Sequence, residues 1–124
     1  MKIKKYRVWD NFLKKFYHFE LNNITFPERL LDQYYCNIQQ FIGILDSCMK
    51  EIYEEDVVRF KTDTKEDIGI VRYMNDYCSY VVEVEEGYDL FADISFDSLE
   101  IVGNMIEDYM YDETGKLIKK LALS

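Results

Sequence analysis

Three consecutive carboxylates, Glu54, Glu55 and Asp56, stand directly ahead of the apolar stretch Val57 to Phe60 in "EIYEEDVVRF". Carboxylates held together can share a proton or hold a divalent cation, which is the chemistry of acid–base catalysis and of hard-metal sites. In an extended strand Glu54 and Asp56 project to one face and Glu55 to the other, so only two of the three could converge. A cation would then need further oxygen ligands from elsewhere in the chain. The competing reading is structural: the acids lead into a strand, and Asp56 accepts backbone N–H groups to form the local turn. That reading is preferred, and an enzyme using paired carboxylates and a divalent metal is kept as an alternative.

Other reactive side chains are sparse. His18 is the single histidine and lies in an aromatic run, with nothing that aligns it with Cys36, Cys48 or Cys78 as a nucleophile–base pair. The three cysteines are odd in number and widely spaced, without a CxxC, so neither a disulfide framework nor a zinc site has its ligands. They are expected to be partly buried thiols in a reducing cytoplasm. No GxGxxG, GxxxxGK[ST] or GxSxG occurs. The expectation is a non-enzymatic chain with no cofactor and no bound metal.

Charge is distributed unevenly. The chain carries −9 overall with a pI near 4.6, which argues against direct nucleic-acid binding and against anionic membranes. Residues 1–15 nevertheless hold Lys2, Lys4, Lys5, Arg7, Lys14 and Lys15 against Asp10. Residues 76–113 hold twelve Asp or Glu and no Lys or Arg, interleaved with Tyr77, Tyr80, Tyr88, Phe91, Phe96, Tyr109 and Tyr111. If Glu83, Glu85, Glu86, Asp89, Asp93, Glu107 and Asp108 project together, they form an acidic, Tyr-rich face suited to a basic surface of a partner protein. Rows of carboxylates could imitate a nucleic-acid backbone, while the plain alternative is a solvated, solubilising face. A basic head and an acidic body can also attract each other between copies, so a homo-oligomer is expected.

The elements that must position these residues are mostly strands. With 124 residues the chain fits one domain, residues 1–124, and its 48% hydrophobic content supports a real core. With 1 Pro and 5 Gly, turns fall largely to Asp and Asn. "KKYRVWDNFLKKFYHF" reads as a hairpin turning at Asp10 and Asn11. "PERLLDQYY" has helical spacing after Pro27, giving a short helix or structured loop near 27–35. "NIQQFIGI" fits a strand ending in a turn at Gly43. "IGIVRYMND" and "YCSYVVEVEE" form a second hairpin through Asn75 and Asp76, with Val82 and Val84 on one side and Glu83 and Glu85 on the other. "LEIVGNMI" adds a strand, and "ETGKLIKKLALS" closes with a short helix or strand. The pattern predicts a mainly β fold, antiparallel strands curled into a small barrel or sandwich. No window approaches a membrane span and no apolar signal region precedes a cleavage site, so the chain is expected in the cytoplasm.

Three stretches carry a resemblance. "KYRVWDNFLKKFY", "QFIGILDSCMKEIYEEDVVRF" and "EIVGNMIED" stand in the order and spacing typical of the YopX family of small phage and prophage proteins. That family's pattern resembles an aromatic, basic strand ending in Trp-Asp, a Thr-Gly-Leu-x-Asp turn into Glu-Ile-Tyr-Glu-Gly-Asp, and a final Val-Ile-Gly-Asn. Trp9 and Asp10 match the first element, Gly43 and Asp46 the turn, Glu51, Ile52, Tyr53, Glu54 and Asp56 the second, and Gly103 and Asn104 the third. Glu55 stands where relatives usually have Gly, and Cys48 with Met49 replace an Asn-Gly-like turn. If that Gly serves a positive φ, Glu55 costs about 1 kcal/mol there, or else the local turn has changed shape. The resemblance implies a mostly β domain from a phage or prophage; taken with the charge segregation, it leads to the expectation that the chain binds a basic surface of a host or phage protein in the host cytoplasm, in host takeover or counter-defence. It implies no catalytic residue or ligand. A small-ligand binder that sequesters a nucleotide signal stays open, and would need Arg7, Arg59 or Arg72 at its pocket.

Overall fold

The computed structural model describes residues 4–20 and 38–120. The helix or loop expected near 27–35, and Cys36, lie outside them. Within the described residues the regular elements are antiparallel strands and three single 3-10 turns, Asn75–Tyr77, Phe91–Asp93 and Phe96–Ser98. The fold is therefore mainly β, as the alternating pattern predicts, with one sheet curled into a half-barrel.

The chain opens with the expected hairpin, β1 (Lys5–Asp10) and β2 (Lys15–Glu20), in a register that sets Trp9 opposite Phe16. β3 (Ile38–Leu45) pairs with β1, and β4 (Glu51–Tyr53) with β3, giving a sheet ordered β2-β1-β3-β4. A second sheet comprises β5 (Asp56–Lys61), β6 (Glu66–Met74), β7 (Ser79–Val84), β8 (Gly87–Leu90) and β9 (Glu100–Asn104), in the order β8-β7-β6-β5-β9. A small hairpin, β10 (Tyr109–Tyr111) and β11 (Leu117–Lys119), makes the tail a strand rather than a helix.

Cross-strand partners share a face, so the register sorts the side chains of the second sheet. Val58, Val71 and Val82 fall on one face, and with Ile52, Phe60, Phe91, Ile94 and Leu99 they form the main core, which Ile42 and Ile44 of β3 help to cover. Val57 and Ile70 fall on the other face and pack with Tyr109, Val102, Met105 and Leu117. The five-stranded sheet thus lies between the β3–β4 side of the first sheet and the β10–β11 hairpin. Each fully buried Val, Ile or Leu contributes about 1.5–3 kcal/mol.

Two expectations need correction. Gly43 does not end a strand: it lies inside β3 with φ +86, where the register passes from Phe41–Tyr53 to Leu45–Glu51 and three residues oppose one. Such a bulge needs a residue that accepts a left-handed backbone, and glycine does so without strain. The turn comes later, at Asp46. Cys48 and Cys78 are exposed rather than partly buried, because both fall in turns where nothing packs over them.

Asp builds the turns as expected. Asp46 Oδ1 accepts from the N–H groups of Cys48 and Lys50, both at 2.9 Å, and Asp46 N–H donates to the Lys50 carbonyl at 2.8 Å. Asp112 repeats this with Thr114 and Lys116, at 2.9 Å each, and donates to the Lys116 carbonyl at 2.8 Å. The fourth residue of each turn has positive φ, Met49 at 66° and Gly115 at 82°. "DSCMK" and "DETGK" are one turn written twice, with glycine at the strained position only in the second.

Candidate functional site

The acid triplet spans a crossing between sheets. β4 ends at Tyr53 in the first sheet and β5 begins at Asp56 in the second, so Glu54 and Glu55 form the link. They are not neighbours along one extended strand, and the three carboxylates go to three different places. Glu54 Oε1 accepts from Gln40 N–H at 2.7 Å. Glu55 takes a left-handed backbone, φ 70°, and pairs with Arg72. Asp56 is 2% exposed; its Oδ2 accepts from Tyr53 N–H at 2.8 Å and its Oδ1 from Arg7 Nη2 at 2.7 Å.

Arg7 is the centre of this junction. Its Nε donates to Gln39 Oε1 at 2.7 Å, and its guanidinium lies 4.0 Å from the Phe16 ring centroid and 4.7 Å from that of Tyr53. Burial pushes the Asp56 carboxyl up from its ordinary value, while Arg7 and the Tyr53 N–H oppose the rise. The Tyr53 phenol is pushed up to about 12, chiefly by burial. His18 stacks edge-on against Tyr53 with centroids 5.5 Å apart. Its pKa is lowered by burial of the ring and by the Arg7 charge. The polar groups of Arg7, Gln39 and Asp56 are spent on joining the sheets. Among the described residues no group of three or more His, Cys, Asp or Glu is arranged to hold a metal ion.

The resemblance residues serve the same end. Trp9 meets the edge of Phe16, and its indole N–H donates to Asn11 at 3.2 Å. Asp10 Oδ1 accepts from Phe12 and Leu13 N–H at 2.9 and 3.1 Å, closing the hairpin. Asn104 Oδ1 accepts from Ile106 and Glu107 N–H at 3.0 and 2.8 Å. A Cβ on Gly103 would meet Asp108 and the Tyr109 ring at 2.8 and 2.9 Å, so glycine lets the ring lie on the strand.

The seven acids expected on one face divide. Glu83 lies opposite Ile70 and Tyr88, whereas Asp89 lies opposite Val82, so the two project from opposite faces of the second sheet. Asp89 pairs with Lys65 at 2.9 Å. Glu85 and Glu86 fall beyond the end of β7, in the exposed turn to β8, with no hydrogen bond or ion pair among the described residues. Asp93 is exposed in a 3-10 turn. Glu107 and Asp108 are engaged in the β9–β10 turn, Glu107 accepting from Asn104 Nδ2 at 3.1 Å and Asp108 from Asn104 N–H at 3.1 Å.

Glu83 and Glu85 instead meet in a groove of about 180 Å³ between β6–β7 and the β10–β11 hairpin, over a floor of Ile68, Ile70 and Leu117. Tyr111 donates from its hydroxyl to Glu83 at 3.1 Å, and Lys116 stands on the far wall. Arg72 links Glu55 to this rim, with Nε 3.8 Å from Glu83. Burial raises the Glu55 carboxyl, against the pull of Arg72. Sequence reading missed the groove because its two walls come from strands far apart along the chain. The available signal was Tyr111 and Leu117, apolar surface on a tail too short to pack alone.

No helix among the described residues is long and apolar enough to cross a membrane. No curated protein matches the chain. The family model described as YopX protein matches residues 5–109, from the first strand to the ring lying on Gly103, and the chain belongs to the YopX family.

Proposed function

We propose that this chain works by binding rather than catalysis, in the cytoplasm of a host cell carrying the phage or prophage that encodes it. Its contact surface is the groove between β6–β7 and β10–β11, and its partner is a basic segment of a host or phage protein, engaged in host takeover or counter-defence. The observation that carries this reading is an acidic rim, Glu83 and Glu85, above an apolar floor of Ile68, Ile70 and Leu117. A lysine or arginine stem can lie on such a floor while its charge meets the carboxylates. The acids of the 54–56 crossing support the same view, since their oxygens already serve the fold.

The test is a pull-down with mass spectrometry from the native host using two variants. Glu83→Gln with Glu85→Gln is expected to lose the partner, whereas Asp89→Asn with Asp93→Asn, altered away from the groove, is expected to keep it. An unchanged partner list for the first variant sinks the reading.

One observation favours a second reading, a small anionic ligand such as a nucleotide signal. Of the three arginines that could serve it, Arg7 and Arg72 are paired, while Arg59 makes no side-chain hydrogen bond or ion pair among the described residues. It shares an open cleft with Lys119, Tyr109 and Val102, and with the carboxylates of Glu66 and Asp67, which a bound anion would have to avoid. A nucleotide found by mass spectrometry on protein purified from infected cells, and lost with Arg59→Ala, would favour this reading.

A further inference from the structure

The tip of the first hairpin is built against the usual rule for turns. Residues 11–14 close β1 onto β2, and Asp10 together with the left-handed backbone of Lys14 (φ 54°) does the turning. Nothing in that geometry calls for large apolar side chains. Yet Phe12 is 83% exposed and Leu13 52%, next to Lys14 and Lys15. A polar tip would satisfy the turn without placing this apolar surface in water.

The groove offers the complement. Its floor is Ile68, Ile70 and Leu117, its β7 side carries Glu83 and Glu85, and its volume is about 180 Å³. An apolar cavity of roughly 150 Å³ accommodates benzene, so the groove has room for one phenyl ring. Phe12 does not fill any groove of its own copy, since it is the most exposed of the large apolar side chains described. We infer that the groove's occupant, when no other protein fills it, is the hairpin tip of a second copy. Phe12 then sits on the apolar floor, and Lys14 and Lys15 meet Glu83 and Glu85. The inference rests on the groove being a contact surface, as proposed above, and adds the identity of one partner.

Each copy offers one tip and one groove, so the contact either closes reciprocally in a two-fold dimer or runs head-to-tail into larger rings or filaments. This gives a test that ordinary loss of function does not. A tip variant, Phe12→Ser, keeps its groove, and a groove variant, Glu83→Lys with Glu85→Lys, keeps its tip. All three positions are exposed, and circular dichroism checks that both variants stay folded.

Light scattering at physiological salt is expected to show wild type above the 15.0 kDa monomer mass and each variant alone at that mass. In the tip variant no copy has a phenyl ring to offer. In the groove variant the tip lysines of one copy meet the introduced lysines of the next and are repelled. Mixed together, the two variants have one intact interface between them, the tip of the groove variant in the groove of the tip variant. The remaining tip and groove are both altered, so growth stops there, and the mixture is expected at about 30 kDa, one heterodimer with its chain ends blocked. A wild type seen only at 15.0 kDa, or a mixture that stays monomeric, overturns self-docking. If self-docking fails while Glu83→Gln with Glu85→Gln still abolishes a pulled-down partner, the groove reading survives and only the second copy is excluded.

Discussion

Glu55 and Asp56 are adjacent residues that each hold an arginine, and they do so on opposite terms. Asp56 and Arg7 form a pair with side-chain exposures of 3% and 8%, closed in by Gln39, Phe16, Tyr53 and a backbone N–H. Glu55 and Arg72 form a pair about one-third exposed, beside Glu83 of the groove. The first pair has no water to fall back on if one member is lost, whereas the second can be replaced by solvent. One sequence step separates a bond that secures the junction between two sheets from one that shapes a surface.

Breaking the buried pair gives the largest effect. Arg7→Met strands the Asp56 carboxylate and the Gln39 oxygen, and removes a cation from between two rings, with an expected loss of about 3–5 kcal/mol at neutral pH. The loss shrinks on acidification. Burial already raises the Asp56 carboxyl, and without the opposing Arg7 it rises further. A carboxyl with its folded pKa above its unfolded one favours the fold below the unfolded value and loses that contribution as pH rises through the folded value. Chemical denaturation of wild type and variant should therefore show the gap narrowing as pH falls toward about 4. A gap independent of pH would mean that Asp56 is not the stranded group.

The strained turns measure what the exposed pair is worth. Met49 and Glu55 both have left-handed backbones, at φ 66° and 70°, but the Met49 side chain lies in solvent and Glu55 holds Arg72. Met49→Gly relieves the strain and gives up little, so it is expected to stabilise by about 0.5–1 kcal/mol. Glu55→Gly relieves the same strain but breaks the ion pair, worth about 0.2–1 kcal/mol when part-exposed, and is expected to change stability by less than about 0.5 kcal/mol. If thermal or chemical denaturation shows the two glycine variants gaining equally, the Arg72 pair contributes nothing and the contrast with Asp56 becomes wider still.

How much of this was legible follows the range of the contacts involved. Alternation in "KYRVW" and "YVVEV", with Asp and Asn at the turns, was enough for both main hairpins, because a strand's face and a turn's chemistry are local properties. The same local logic identified Asp56 as a backbone-capping acid, whereas the positive φ at Glu55 was suggested only by the family resemblance, in which that position is usually Gly. Gly43 was misread because a glycine inside a bulged strand and one at a strand's end look alike along the chain. Arg7 could not be recognised as the junction: its partners, Gln39 and Asp56, are 32 and 49 residues away. The seven acids looked like one surface because spacing along the chain hides the parity of the register, which sends Glu83 and Asp89 to opposite faces.

His18 gives the smallest effect and probes the edge of the buried junction. Its ring contacts Tyr53 and feels both burial and the Arg7 charge, which disfavour the imidazolium, so its pKa is lowered from 6.5. A base whose folded pKa lies below its unfolded one is protonated first in the unfolded chain, so its contribution is whole above the unfolded value and is lost as pH falls through it. His18→Phe keeps an aromatic edge against Tyr53 and removes the proton. Melting curves taken between about pH 7.5 and 5 should show the wild type losing slightly more stability than the variant on acidification. The raised carboxyls of Glu55 and Asp56 are present in both proteins and cancel in that difference. Parallel curves would place the His18 ring outside the reach of Arg7, and would limit the buried junction to Arg7, Gln39, Tyr53 and Asp56.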